Sequence, residues 1–518
     1  MTRAPFAAIL VLLICSACKE PPAGSEGDAR APGTRPTATQ PSASPAIPRT
    51  DEVSLQPKHS RLSPNDPRSP IYPQNRMYLL DEGLGEIEVG PPAPHVKRII
   101  GASTTPASGP KRRVLTRFVH LADLQLADDE SPARVAKLDT TGDTNGAFRP
   151  HEGHACRIVN AAVKTINRMH EKAPLDFVML GGDNADNAQT NEFDWVLDML
   201  AGGPRSIDCD SGADDDLTNG PANDVKDPFE SVGLAVPYKW INGNHDVLVQ
   251  GNLAIDPSLR ALAVGSAPKL GTRDYRLFGA PVVTSEVPAD PRRALLDRVQ
   301  LMQKVAADGD GHGIGKEQAR TGKAYYDFDV PGTPLRFVVV DTAAETGGSE
   351  GIVRRGDVEM FLRPALDRAL AEQKIVVLNA HHAVHSLTTS GGTLGSTQPD
   401  ALTAEEWLAL IAKYPNVVFS VVGHSHQHKV RTYGGFWEVM TSSLLDFPGQ
   451  FREIEISDED NGWLMLKATC VDYADDGDSL VKQGRELMYM DWVSGWGIDG
   501  ASGREDQNVE LWVKKPTF

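Results

Sequence analysis

Beyond Arg113 the chain repeats one design. Short apolar runs climb without polar alternation and end in glycine, aspartate, asparagine or histidine: VLTRFVHLAD, LDFVMLGGD, VPYKWINGNHD, LRFVVVDT, KIVVLNAHH and NVVFSVVGHSHQH. Unbroken apolar runs of this length predict strands buried on both faces. Between them apolar residues recur at helical spacing, in GHACRIVNAAVKTINRMHEK (153–172) and DVEMFLRPALDRALAEQ (357–373). Buried strands alternating with helices predict an α/β fold whose central sheet is covered on both sides. From Phe436 on, strand candidates follow one another: GFWEVMTSS, FREIEIS, WLMLKATCV and VELWVKK. This strand-rich C-terminal part, 453–518 in particular, is expected to complete the same domain rather than form another.

The first hundred residues follow a different pattern. MTRAPFAAILVLLICSAC places Arg3 before an apolar stretch from Phe6 to Ile14, then small residues before Cys18. That stretch is too short to cross a bilayer and fits the apolar core of an export signal, residues 1–18. Its ending, ICSAC, resembles a bacterial lipobox, with Cys15 where leucine is usual. The resemblance implies lipidation at Cys18 and an exported, membrane-anchored lipoprotein in the periplasm or at the cell surface. A plain secretory signal cleaved near Ala17, or Cys15 as the modified residue, is the alternative. Residues 19–73 are dense in Pro, Ser, Thr and Ala, bury too little apolar surface to offset the entropy of ordering, and read as a disordered tether. Residues 74–115 read as an N-terminal extension and 116–452 as the main domain.

Beyond the signal stand Cys156, Cys209 and Cys470, and an exported compartment permits one disulfide among them. Cys156 with Cys209 is favoured because Cys209 lies in a long loop that gains from anchoring. That loop, Ala201 to Val236, is acidic and glycine-rich, but its aspartates lack the spacing of a calcium-binding EF-hand. It reads as a solvated insertion beside the entrance to a site. A net charge of −18 over 518 residues leaves little basic surface for phosphate backbones, so no nucleic-acid partner is expected. An acidic protein can still take a small anion where metals or local arginines reverse the field.

Each of the main apolar runs delivers metal-capable side chains. In order they are Asp123; Asp183 and Asp186 in GGDNAD; Asn244, His245 and Asp246 in GNHD; His381 and His382 in NAHHAV; and His424, His426 and His428 in GHSHQH. In open α/β sheets the carboxyl ends of strands converge on one crevice. A mixed set of carboxylate, amide and imidazole donors suits Mn, Fe, Zn or Co better than Mg or Ca. Two such ions together can activate water and clamp a phosphoryl group.

D-x-x, GDxxD, GNHD, H and GHxH in this order resemble the calcineurin-like metallophosphoesterase superfamily, over about Thr116 to His428. SPAR after the first motif and GFWEVMTSSLLDFPGQFREIEI near the end resemble a bacterial exported subfamily of it. The resemblance implies a four-layer α/β/β/α sandwich and a centre of two divalent transition-metal ions, Mn, Fe or Zn. Carried over residue by residue, it implies that Asp183 bridges the ions. Asp123 and His426 would complete metal one; Asn244, His381 and His424 would complete metal two. His245 matches the general acid that protonates the leaving group. Asp186 is expected to orient His245, with ligation of metal one as its alternative role. In the HH pair His381 is the expected ligand, while His382 packs behind it or touches substrate, since neighbouring side chains at a strand end point opposite ways. Arg134 of SPAR is a candidate phosphate clamp, or a structural arginine.

One position departs from the pattern. The superfamily has D-x-H in the first motif, and this chain has Asp123-Leu124-Gln125. Gln125 could offer its amide oxygen to metal one, hydrogen-bond the bridging water, or leave metal one to recruit Asp186. His120, His385 and His428 read as packing or loop residues, and His151 and His154 as polar residues beside a helix start. The resemblance implies hydrolysis of a small phosphorylated substrate, monoester or diester, by attack of a metal-bridged hydroxide. A metal-binding lipoprotein of the same fold, its catalysis weakened through Gln125, is the rival reading. The intact His245 and metal-two set favour the enzyme.

Overall fold

Strands that are apolar on both faces must be covered on both faces, and two stacked sheets with helices outside them do this. A computed structural model describes residues 47–518 except 64–65, 67–75, 140–145, 205, 211–217, 274–281, 310, 499 and 501–503. The first sheet has seven strands, in the order Val96–Ile99, Val509–Lys514, Trp463–Asp472, Gln450–Asp458, Arg113–Leu121, Phe177–Leu180, Tyr238–Lys239. Its last three strands are mutually parallel, whereas Gln450–Asp458 runs antiparallel to Arg113–Leu121. The second sheet has six, in the order Tyr326–Asp329, Leu335–Val339, Ile375–Asn379, Val417–Val422, Phe436–Met440, Lys429–Tyr433. From Leu335–Val339 to Phe436–Met440 its strands are parallel, with an antiparallel strand on each edge.

The alternation of side chains along each strand builds the layers. Phe337, Val339 and Val377 point into the core shared with the first sheet, while Val338, Val340, Val376 and Leu378 point the other way. Between the sheets Phe118 and Phe177 stack at 4.9 Å, and Phe337 meets them edge-on at 5.4 and 5.1 Å. With one face of each sheet occupied by the other sheet, helices take the outer faces. Val358, Leu362, Ala365, Trp407 and Ile411 cover the second sheet. Ala155–Lys172 and Thr190–Ala201 pack their apolar faces into the core of the first. The result is the four-layer α/β/β/α sandwich, and the C-terminal strands complete its first sheet.

Three features differ from the reading of the sequence. Ser54–Pro57 pairs antiparallel with Ile87–Gly90, and the Thr50 hydroxyl bonds the Cys470 carbonyl, so this part of the stretch read as a tether is docked on the folded body. The helix expected over 357–373 is broken into Arg355–Asp357, a π-helical turn Val358–Leu362, and Arg363–Ala371. Pro364 has no N–H for the α-helical ladder, and the wider turn absorbs the loss. The C-terminal part also contains a helix, Ser479–Val493, capped by the Asp478 carboxylate. Its apolar residues, Leu480, Val481, Leu487, Met488, Met490 and Val493, are buried. The export signal and Cys18 lie outside the described residues, among which no helix is long and apolar enough to cross a membrane.

Candidate metal centre

Asp123, Asp183, Asn244 with His245, His381, and His424 with His426 all follow the carboxyl ends of parallel strands, three strands from the first sheet and two from the second. Backbone hydrogen bonds stitch the loops together: Asp123 N–H to the Gly182 carbonyl, Gln125 N–H to that of Asp183, and Gly423 N–H to that of His381. The loops are strained where they carry chemistry. Asp123, Gln125, Asp183, His424 and His426 all adopt positive φ, at 54°, 35°, 53°, 76° and 54°. Left-handed backbone at non-glycine residues costs about 1–3 kcal/mol each and persists only when the surroundings enforce it. Close approach also requires glycine nearby: a Cβ on Gly243 would lie 2.0 Å from Asp183 Oδ1.

Two groups of donors form there. Asp123, Asp183 and His426 offer atoms that all lie within 4.8 Å of one another, as do His381, His382 and His424. The groups meet at Asp183: His381 Nε2 is 3.0 Å from Asp183 Oδ2 and 3.2 Å from Asn244 Oδ1, and His426 Nε2 is 3.3 Å from Asp123 Oδ1. Protein partners set the direction of each lone pair. His381 Nδ1–H donates to the Gly181 carbonyl at 2.8 Å, which turns Nε2 toward the carboxylates. Asn244 donates its amide to the Gly251 carbonyl at 3.0 Å, which turns Oδ1 inward. His426 Nδ1 bonds Asp446 Oδ2 at 2.5 Å.

The electrostatics call for a cation. Burial works against charge on both imidazoles, yet Asp183 raises His381 to about 9, and Asp123 with Asp446 raises His426 to about 10. Burial likewise opposes charge on Asp183, but His381 and His245 hold it well below the usual carboxylate range. Buried carboxylates that pull protons onto their imidazole neighbours are a donor set in which a transition-metal ion fits. Asp123, Asp183 and His426 could hold one ion, and Asp183, Asn244, His381 and His424 another. Beside them His245, its side chain 14% exposed, hydrogen-bonds the Asp186 backbone carbonyl through Nδ1 at 3.1 Å, lies 3.0 Å from Asp186 Oδ1, and donates its backbone N–H to Asp183 at 2.8 Å. Burial opposes the proton on His245, and Asp183 and Asp186 together raise its pKa.

Other expected site residues fall elsewhere. Arg134 is fully buried, with one Nη on Asp186 and the other on Glu152 at 2.6 Å, so it is no phosphate clamp but the group that holds Asp186 beneath His245. His382 donates Nε2–H to the Ser349 carbonyl at 2.9 Å and accepts from the Thr342 hydroxyl at 2.8 Å. With both nitrogens engaged, and burial holding the ring near a pKa of about 3, it is a neutral packing residue rather than a substrate contact. Asp246 accepts from the backbones of Gly243, Asn184 and Ala185 and pins two of the loops to each other. His120, His151, His154 and His428 are buried on protein partners, at Thr441, Leu445, Gln483 and Gln450.

The orientation of Gln125 bears on one of the three roles open to it, ligation of metal one. Its Oε1 accepts from Arg149 Nη2 at 2.5 Å, and its Nε2 faces Asp183 Oδ2 at 3.4 Å. The orientation is forced, because a guanidinium only donates and a carboxylate only accepts. The amide therefore turns its donor toward the centre, and ligation through its oxygen is ruled out in this arrangement. Arg149 and Asp446, which grip each other through two hydrogen bonds of 2.8 and 2.9 Å, carried no strand-end signal and escaped the sequence reading. The described parts of the loop 201–236 are anchored: Cys156 joins Cys209, and buried Lys226 pairs with Asp129 and Asp210.

No family model and no curated protein matches the sequence. Among solved structures the chain is similar to a purple acid phosphatase from yellow lupin seeds, with 14% identity over 68% of this chain and 51% of that one and a TM-score of 0.29. It is similar to the sulfate thiohydrolase SoxB of Termus thermophilus, with 13% identity over 74% and 61% and a TM-score of 0.29. It is also similar to a putative 5'-nucleotidase from Staphylococcus aureus, with 11% identity over 71% and 58% and a TM-score of 0.30. The chain thus spans between half and two thirds of the length of these proteins. Likenesses this distant carry nothing about substrate or mechanism, which rest on the chain's own residues.

Proposed function

We propose that this chain is a metal-dependent phosphoesterase that hydrolyses a small phosphomonoester or phosphodiester at a centre of two transition-metal ions. The observation that carries the reading is His245, partly exposed and seated on Asp186, beside two groups of metal-capable donors that meet at Asp183. Two ions, when bound, supply Lewis-acid charge and lower the pKa of water. The protein's own part is to aim their ligands and to move a proton. His245 Nε2 is the ring nitrogen left for the substrate once Nδ1 is taken by Asp186, and it donates the proton to the departing alkoxide. Asp186, held by Arg134, keeps that ring in place and favours its protonated form. The N-terminal signal with Cys18 supports placement as an exported, membrane-anchored lipoprotein, for which mass spectrometry of the mature protein should find an acylated Cys18.

The test is hydrolysis of an aryl phosphate and a bis-aryl phosphate by the purified protein with manganese, iron or zinc. Asp183→Asn and His245→Ala proteins with wild-type circular dichroism are expected to lose at least about 100-fold in kcat. Wild-type turnover in either variant would overturn the reading.

A further inference from the structure

The two halves of the centre are unequally equipped. Around His381 the donors number four, Asp183, Asn244, His381 and His424, and the orientation of Asn244 and His381 is set by the carbonyls of Gly251 and Gly181. Around His426 there are three, Asp123, Asp183 and His426, because the amide oxygen of Gln125 is held by Arg149. The same guanidinium is bidentate on Asp446, whose Oδ2 receives His426 Nδ1. One side chain thus does two opposed things. Through Asp446 it fixes the imidazole for ligation, and through Nη2 it withholds the amide oxygen beside it. Arg149 is 3% exposed and Asp446 and Gln125 are no more open, so water competes little for any of these bonds. Burial opposes its charge, but Asp446 more than restores it, so the guanidinium is a permanent cation beside the half-site. With fewer ligands, this half-site disfavours a second cation relative to its neighbour.

We infer that Arg149 makes the centre asymmetric: one ion is held tightly by Asp183, Asn244, His381 and His424, and the other is held weakly and exchangeably by Asp123, Asp183 and His426, with Gln125 contributing nothing to its binding. The inference rests on the proposed function for the existence of the centre and adds the division of labour within it. Arg149 and Asp446 are positioning residues acting through His426.

Manganese titration of the full folded protein, followed by calorimetry and by electron paramagnetic resonance, reads this without reference to activity. Wild-type protein should take up one Mn(II) with an uncoupled signal, and a second only at concentrations at least about tenfold higher, spacing consistent with lost ligation effects of 10–100-fold. Gln125→Ala should leave both affinities unchanged within about threefold, as expected for a residue that is not a ligand. Asp446→Asn should weaken the second ion alone by about 10–100-fold, and Gln125→His, which restores an imidazole, should tighten it toward the first. Near-ultraviolet circular dichroism of each variant keeps misfolding from passing as lost metal. Two equal tight sites in the wild type, or weakening of the second ion by tenfold or more in Gln125→Ala, would overturn the asymmetry while leaving the proposed function intact. A wild-type protein that binds no ion would remove both.

Discussion

At the residue scale the centre depends on which atom of each side chain is already spoken for. Gln125, His381, His382 and Asn244 could each present a donor or an acceptor, and in each case a neighbouring carbonyl, hydroxyl or guanidinium decides. That decision explains why His381 and not His382 faces the carboxylates, although the two are adjacent in sequence. Arg134 shows the same principle with charge. Its two carboxylate partners are buried, and removing a buried cation while leaving its partners behind costs about 3–5 kcal/mol. Arg134→Met should therefore lower the unfolding free energy by that amount and reduce kcat by loosening Asp186 and His245. KM should stay near its wild-type value, because Arg134 does not face the substrate. A rise in KM with kcat unchanged would return Arg134 to the role of phosphate clamp.

At the element scale the parallel strands behave as their apolar runs suggested, and the helices show where local chemistry matters. The broken helix at Val358–Leu362 follows from Pro364. The helix Ser479–Val493 begins at Asp478, whose Oδ1 accepts from the backbones of Leu480 and Val481. Removing such a cap costs about 1 kcal/mol. Asp478→Ala should thus lower unfolding free energy by that amount, measured by urea denaturation, with no change in metal binding because the helix lies outside the donor groups. This helix lies within a stretch that reads as strands, although its apolar residues recur at helical intervals. The short strand Tyr238–Lys239 carries the opposite lesson. The run VPYKWINGNHD is long and apolar, yet ladder pairing covers only two residues, and Trp240 and Ile241 serve the core instead.

At the scale of the whole molecule, burial of ionisable groups sets how the protein responds to pH. Burial pushes the His151 and His154 imidazoles down to about 4, from an ordinary value of 6.5. Between those values the unfolded chain binds protons that the folded protein refuses, so these groups stabilise the fold at neutral pH and that contribution is lost as pH falls from 6.5 to 4. For His154 the loss is on the order of 3 kcal/mol. His154→Gln, which cannot take up a proton, should narrow the gap between the unfolding free energies at pH 7 and pH 4.5. An unchanged gap would mean that His154 is already charged in the folded protein.

Much of this was legible in the chain. Unbroken apolar runs ending in metal-capable residues indicated parallel strands and a shared crevice, because a strand's length and the period of its side chains are local properties. The same locality made Asp123, Asp183, Asn244, His381, His424 and His426 candidates from their places alone, and it pointed to Cys156 and Cys209 as partners. What the chain did not reveal was the second neighbour of each group. Arg149 reaches Gln125 across 24 positions and Asp446 across 297, and Arg134 reaches Asp186 across 52. Hydrogen bonds between side chains so far apart depend on how two sheets and their loops pack, and no local periodicity records them. The sequence by itself determined the layers and the kinds of atom that gather at their edge. Only the tertiary structure decided which of those atoms are free to hold an ion, because each lone pair is claimed or released by a partner that folding brings to it.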